Sequence, residues 1–494
     1  MNRSNVSPWV SVVLATVLLA LLGTASAQLP GRLTLEPAAG VVASSVTATA
    51  SGLEPGTRVA LVWESANASW NVTDEGRFLG VSAEQTLTPL SEGVVGADGT
   101  VAFTFQVPED FGYMHNVFVV AGDETVARQG FTVLPQLTVN PTSGPVGTPI
   151  TVTLTGVGYT FWQLAWHLLY DSAHTGWLSA ITTRGTATAV IPATGAVGPH
   201  SLQVLSGTHP VPYLNQQQAP TFNPNVPTVL AATFVITGGD AVLPGAPEAQ
   251  ALPRAPFLPE PAGAGPALVL DYGSGTVGSE IGVHGDGFPA GAEVELGWTT
   301  TRGNDIISGL VDATLDLGSV TATAAGTFDT RLATPDDLGG GHTLLATVGD
   351  ISASARYTIT PSVAAVTPSV VAPTGDITIT IKGVGWSDTA NIYTLVMDNG
   401  YLGYGCGVNS QGDVTIHLKA PGQPGVHYVD LYPSIYRGVI TAPGAPPAPR
   451  LEPGQDASLL PGANGTFLQL PMLNWVDHPG EELPAFRLSF EVRQ

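Results

Sequence analysis

The sequence is poor in the residues that staple a fold, charge a surface positively or cross a bilayer. It holds one cysteine, Cys406, in 494 residues. No intrachain disulfide can form, so each domain must be held by its packed core. A lone cysteine of this kind is expected to be a small buried apolar residue. There are two lysines, Lys382 and Lys419, and 16 basic residues stand against 39 acidic ones, for a net charge of −23. An acidic surface repels phosphate backbones, which sets nucleic acid aside as a partner. Beyond the first 28 residues, no apolar run reaches the length of about 20 that a spanning helix requires. No convincing helical periodicity occurs there either. The Gly-x-Ser-x-Gly elbow, the His-Glu-x-x-His pair, the Gly-x-x-x-x-Gly-Lys loop and the Asp-x-Asp-x-Asp-Gly loop are all missing. The expectation is a non-enzyme with no catalytic residue, no metal site and no cofactor.

What the chain does have is glycine (59), proline (41) and period-two alternation. Ile150-Thr151-Val152-Thr153-Leu154 sets apolar side chains against threonine, and Ile377-Thr378-Ile379-Thr380-Ile381 does the same. Val101–Phe105 and Phe486–Val492 alternate likewise. Such segments place one face in a core and one in water. Turn signals such as Asp98-Gly99, Asn399-Gly400 and Pro421-Gly422 separate them. The fold class expected is all-β, a tandem array of about four immunoglobulin-like sandwiches.

Most of the chain past its start is written twice. Gly52-Leu53-Glu54-Pro55-Gly56 with Val59, Leu61 and Trp63 returns as Gly287-Phe288-Pro289-Ala290-Gly291 with Val294, Leu296 and Trp298, offset by 235 residues. Pro108-Glu109-Asp110 returns as Pro335-Asp336-Asp337, and Gly156-Val157-Gly158-Tyr159 as Gly383-Val384-Gly385-Trp386, both offset by 227. The repeat implies an A-B-A-B order: A1 at 28–135, B1 at 136–238, A2 at 266–361 and B2 at 362–494. B2 carries a long C-terminal excursion and a closing strand at Phe486–Val492. Between the halves, 239–265 carries six prolines and reads as an extended, semi-rigid spacer. The change of offset puts eight extra residues in the Glu64–Gly96 region of A1, expected as a longer loop. Residues 1–27 read as a signal peptide: Arg3, an apolar run over Val10–Leu22, and the small-x-small site Ala25-Ser26-Ala27. The expected location is extracellular, cell-surface or periplasmic, with no membrane span once the signal is cleaved.

Ser143-Gly144-Pro145-Val146-Gly147-Thr148, followed by Ile150-Thr151-Val152 and Gly156-Val157-Gly158-Tyr159, resembles the opening of bacterial IPT/TIG-type immunoglobulin-like domains. Ser274-Gly275-Thr276-Val277-Gly278-Ser279 with Gly285-Asp286-Gly287-Phe288 is similar. The fourth domain keeps only Gly383-Val384-Gly385-Trp386, and the first is the weakest match. The resemblance implies an immunoglobulin-like spacer or binding module of exported bacterial proteins, with a structural, adhesive or binding role.

Trp63 and Trp298 are expected in cores. His115/His342, Asp110/Asp337, His200/His427 and Asp171/Asp398 recur by duplication and are expected to make turn and core-edge hydrogen bonds rather than metal sites. Asp477-His478-Pro479-Gly480-Glu481-Glu482 is expected to be an exposed acidic loop. The aromatics of the B domains are too numerous for one strand face to bury. Trp162, Trp177, Tyr401 and Tyr404 are therefore the candidates for a ligand or interface role, with a cell-envelope protein or a glycan as partner.

Overall fold

The structure, a computed structural model, describes residues 29–72, 78–158, 165–207, 212, 214, 229–259, 265–304, 309–385, 392–434, 471–474, 477 and 483–494. The expected signal peptide lies outside the described residues, as does Trp162. Among the described residues no helix is long and apolar enough to cross a membrane.

The first sandwich runs β1 (Arg32–Glu36), β2 (Ala39–Gly40), β3 (Ser45–Ser51), β4 (Arg58–Val72), β5 (Phe78–Val94), β6 (Val101–Gln106), β7 (Tyr113–Ala121) and β8 (Glu124–Val133). One sheet has the order β1-β3-β6 and the other β2-β8-β7-β4-β5. The short β2 lies parallel to β8, while β1 pairs antiparallel with β3 in the other sheet. This switch of the leading strand between sheets is immunoglobulin-like. B1 supplies β9–β16, from Gln136–Asn140 to Val229–Ile236; A2 supplies β17–β24, from Ala267–Leu270 to Ile351–Ile359; B2 supplies β25–β32, from Ser362–Val363 to Phe486–Val492. Adding 8, 16 or 24 to each strand number reproduces the same two sheet orders. The sequence thus repeats with a two-domain period and the topology with a one-domain period.

Alternation sets which side chains enter each core. β11 (Pro149–Thr155) buries Ile150, Val152 and Leu154, and β27 (Asp376–Lys382) buries Ile377, Ile379 and Ile381. β32 buries Phe486, Leu488, Phe490 and Val492, pairing antiparallel with β31 (Gly425–Ser434) and parallel with β26 (Val370–Val371). Trp63 and Trp298 are fully buried, each stacked on a histidine: His115 at 4.6 Å and His342 at 4.8 Å between ring centroids.

The chain forms two compact units. One comprises 1–66, 85–108 and 113–133; the other comprises 67–84, 109–112 and 134–494. In A1 the hairpin strands β4 and β5 are 15 and 17 residues long, against 12 and 13 for β20 (Glu293–Asn304) and β21 (Gly309–Thr321). The extra residues of the first copy therefore lengthen a hairpin rather than a loop.

Within the second unit, A2 runs into B2 with no slack. Gly339 N donates to the Val384 carbonyl, and a Cβ on Gly339 would sit 2.0 Å from the Gly383 carbonyl oxygen. Asp337, fully buried, accepts from Trp298 Nε1 (3.1 Å), Thr300 Oγ1 (2.8 Å), Leu338 N (2.9 Å) and, from B2, Gln411 Nε2 (2.5 Å). In A2 the carboxylate of Asp337 thus ties the domain core, through Trp298, to Gln411 of the next domain.

Candidate functional site

The B domains carry the surplus aromatics, and in the structure they lie against each other. The β12–β13 hairpin of B1 joins β12 (Ala165–Tyr170) to β13 (Ala173–Leu178) through Asp171-Ser172. The β28–β29 hairpin of B2 joins β28 (Ile392–Met397) to β29 (Gly400–Cys406) through Asp398-Asn399. All four turn residues have positive φ, between 48° and 68°. Two-residue turns of this hand match strand twist and favour Asp and Asn, which tolerate the left-handed region.

The B2 turn is inserted into B1. Asn399 is buried; its Nδ2 donates to the Pro192 carbonyl (2.8 Å) and to Thr194 Oγ1 (3.0 Å), while its own carbonyl accepts from Thr175 Oγ1 (2.7 Å). Val396 and Tyr432 join the B1 core cluster, so the two sandwiches share apolar packing. Arg487 of β32 grips both Asp430 oxygens (2.7 and 3.0 Å) and reaches across to the Val190 carbonyl (2.9 Å). Burial works against that guanidinium, but Asp430 outweighs it and holds the pKa above the ordinary value.

The C-terminal excursion completes the joint. Trp177 N donates to the Pro471 carbonyl and Leu473 N to the Trp177 carbonyl, both at 2.9 Å, so residues 471–474 cover the open edge of β13. Asn474 Oδ1 accepts from Ser179 N (3.0 Å). Asp477, fully buried, accepts from Ile181 N (2.8 Å), Thr182 N (2.6 Å), Thr182 Oγ1 (2.5 Å) and Ser179 Oγ. This corrects the reading of Asp477 as part of an exposed acidic loop: it is an internal anchor, because a row of unpaired donors beyond the end of β13 requires an acceptor. Its neighbours 478–482 lie outside the described residues.

The proline-rich stretch is docked rather than free. Val242 N donates to the Val146 carbonyl of B1, and the Val242 carbonyl accepts from Tyr428 Oη of B2 (2.7 Å). A helical turn at Pro247–Gln250 places the Gln250 amide on both backbone groups of Arg487, at 2.6 and 2.9 Å. Arg254 lies 3.9 Å over the Tyr272 ring of A2.

A cleft of about 760 Å³ opens between B1 and B2. Tyr170, Asp171, Thr194, Asp398, Gln423 and His427 contribute to its walls. Tyr170 donates to the Thr194 carbonyl (2.9 Å); burial, with the charges of Asp171 and Asp398, pushes its pKa up to about 12. Each turn aspartate is clamped by a histidine from the next strand: His200 Nδ1 to Asp171 at 2.5 Å, and His427 Nδ1 to Asp398 at 2.6 Å. The recurring His and Asp pairs thus bind turns to strands. Among the described residues no group of three or more metal-ligating side chains assembles.

The three described aromatic candidates separate, Trp162 lying outside the described residues. Trp177 is 1% exposed beneath the C-terminal segment and offers no face to an outside ligand. Tyr401 is partly buried and packs edge-on to His174 (6.5 Å), inside the B1–B2 joint. Tyr404 is 47% exposed and lies with Leu402 on the edge strand β29. Cys406, expected to be buried, is exposed at the end of the same strand. Sequence reasoning found the aromatic surplus but missed Asn399, Asp477 and Gln250. Asn399-Gly400 was visible only as a turn.

No family model matches the sequence, and no curated protein matches it. Solved structures do. A mutant Salmonella alpha-2-macroglobulin aligns over 92% of this chain and 30% of its own, with 12% identity and a TM-score of 0.19. Invasin, a bacterial integrin-binding protein, aligns over 82% and 76%, with 10% identity and a TM-score of 0.17. An ICAM-5 ectodomain fragment aligns over 82% and 95%, with 14% identity and a TM-score of 0.16. The chain spans under a third of the macroglobulin's length. From its own sheets, the protein is an all-β array of immunoglobulin-like sandwiches.

Proposed function

We propose that this is an exported, non-enzymatic protein of the cell surface whose B1–B2 body is a binding or adhesive module. The observation that carries the reading is the joint itself. Buried polar anchors, a shared core, a docked linker and a covering C-terminal segment hold B1 and B2 in one orientation. Rigid presentation of a surface lowers the ordering cost of binding. The surface so presented includes the exposed Leu402 and Tyr404 side chains on β29, the last strand of its sheet among the described residues. The resemblance to IPT/TIG-type modules and the Val10–Leu22 run ending at Ala25-Ser26-Ala27 support export. The partner on this reading is a cell-envelope protein.

The test is binding of purified protein to intact cells and to isolated envelopes, with Tyr404→Ala and Leu402→Ser as variants. Loss of binding in both, with unchanged thermal stability, supports the module. Equal binding by wild type and variants removes the β29 edge from the account. A second reading, glycan binding, rests on the cleft lined by Tyr170, Asp171 and Asp398. A glycan panel with Asp171→Asn separates it from the first.

A further inference from the structure

His427 is placed where a neutral imidazole cannot satisfy its neighbours, and His200 repeats its geometry. His427 Nδ1 faces the Asp398 carboxylate at 2.6 Å and Nε2 faces the Gln423 carbonyl at 2.8 Å. His200 Nδ1 faces the Asp171 carboxylate at 2.5 Å and Nε2 faces the Ala196 carbonyl at 2.7 Å. A carbonyl and an ionised carboxylate only accept. A neutral ring has one donor and the imidazolium has two. The His427 ring together with Asp398 therefore holds one proton more than the neutral ring beside an ionised carboxylate, and losing it leaves a half-buried acceptor unpaired.

The bonds fix the turns that form the B1–B2 contact. Asp398 Oδ1 accepts from Tyr428 N (3.0 Å), so the His427–Asp398 pair pins the Asp398-Asn399 turn to β31 while Asn399 reaches into B1. Asp171 accepts from Ser201 N (2.9 Å) in the same way. The groups facing His427 are Asp398, the Gln423 carbonyl and the Phe490 ring of β32 at 5.6 Å. Glu491, next along β32, is paired with Arg493. His200 is faced by Asp171, the Ala196 carbonyl and the Tyr170 ring at 5.5 Å.

We propose that His427 forms a proton-held latch on the B1–B2 joint: the doubly protonated ring keeps the Asp398-Asn399 turn clamped and Asn399 seated, and loss of the proton loosens it. For His427 burial opposes the charge, but the Asp398 bond and charge with the Gln423 carbonyl outweigh it and raise the pKa above the ordinary imidazole value. A group raised on folding stabilises fully below its unfolded pKa of about 6.5, and that contribution is lost as pH rises through the folded value.

The test is hydrogen exchange of the intact chain at pH 5.5 and 8.5, corrected for the chemical exchange rate and read on the peptide covering 392–406, which holds the turn that His427 clamps. Protection is expected to fall about tenfold or more at the higher pH in the wild type, and to stay level in His427→Gln, whose amide donates without titrating. Equal protection at both pH values in the wild type, or a drop that persists in His427→Gln, overturns the latch. Should the variant not fold, the imidazole proton resonance of wild-type His427 decides. Titration above about 6.5 supports the latch and titration below it refutes it.

Discussion

The side-chain amide of Asn399 donates to the Pro192 carbonyl at 2.8 Å across 207 residues of sequence. This bond joins the hairpin turn of one B domain to the sheet edge of the other, and its two halves allow separate tests. Asn399→Gly keeps the left-handed turn and removes the amide; Asn399→Ala removes the amide and adds strain at φ 65°. The Gly variant is expected to lose about 1–3 kcal/mol of unfolding free energy, and the Ala variant about 1 kcal/mol more. Urea denaturation of both against wild type checks the order.

Asp477 is the heavier anchor. Asp477→Ala leaves Ile181 N, Thr182 N and two hydroxyls without their acceptor. The expected cost is about 3 kcal/mol or more, with new proteolytic sensitivity between 471 and 485. Limited proteolysis under native conditions, followed by mass mapping, reads this directly.

At the A2–B2 joint, Gly412 has φ +94° and a Cβ there would lie 2.4 Å from the Asp337 carbonyl oxygen. Gly412→Ala therefore combines backbone strain with a backbone clash, a loss of roughly 2–4 kcal/mol. Gly422→Ala, where a Cβ would meet nothing within 4 Å, serves as the control and should stay within about 0.5 kcal/mol of wild type. Calorimetry of the two variants distinguishes these outcomes.

His174 gives a pH dependence of opposite sign to the latch. Burial pushes its pKa down to about 4. A base depressed on folding leaves stability intact above its unfolded pKa of about 6.5 and withdraws it as pH falls toward 4, to a total of about 3 kcal/mol. The difference in unfolding free energy between pH 7 and pH 4.5 should be smaller in His174→Phe than in wild type. Equal differences would show that His174 does not titrate in this way.

Trp177 and Tyr404 should behave oppositely. Trp177→Ala removes a buried ring and should cost about 3–5 kcal/mol, with any effect on envelope or glycan binding following only from lost folding. Tyr404→Ala changes an exposed ring and should leave stability within about 0.5 kcal/mol. Binding and thermal melts measured on the same preparations separate the two.

The strands were legible because alternation is local: Ile150-Thr151-Val152 states which side faces inward whatever the rest of the chain does. Trp63 and Trp298 were legible for the same reason. The aromatic excess of the B domains was visible, but its solution was not, since Trp177 is covered by a segment 294 to 297 positions later in the sequence. No periodicity links Ser179 to Asp477 or Gln250 to Arg487. Their partners are chosen by domain packing, which leaves only an unexplained Asp or Gln in the sequence. The proline-rich stretch reads as an extended spacer from its prolines, which say nothing of the docking that Val242 and Gln250 make against Tyr428 and Arg487.

The account turns on B1 and B2 being one body closed by the C-terminal segment, and the amide of Trp177 reports it. Native-state hydrogen exchange should find that amide protected in the wild type through its bond to the Pro471 carbonyl, and released at least a hundredfold faster in Asp477→Ala while the Val152 and Leu154 amides of the B1 core stay slow. A wild-type Trp177 amide exchanging at the rate of an open sheet edge would contradict the closed body.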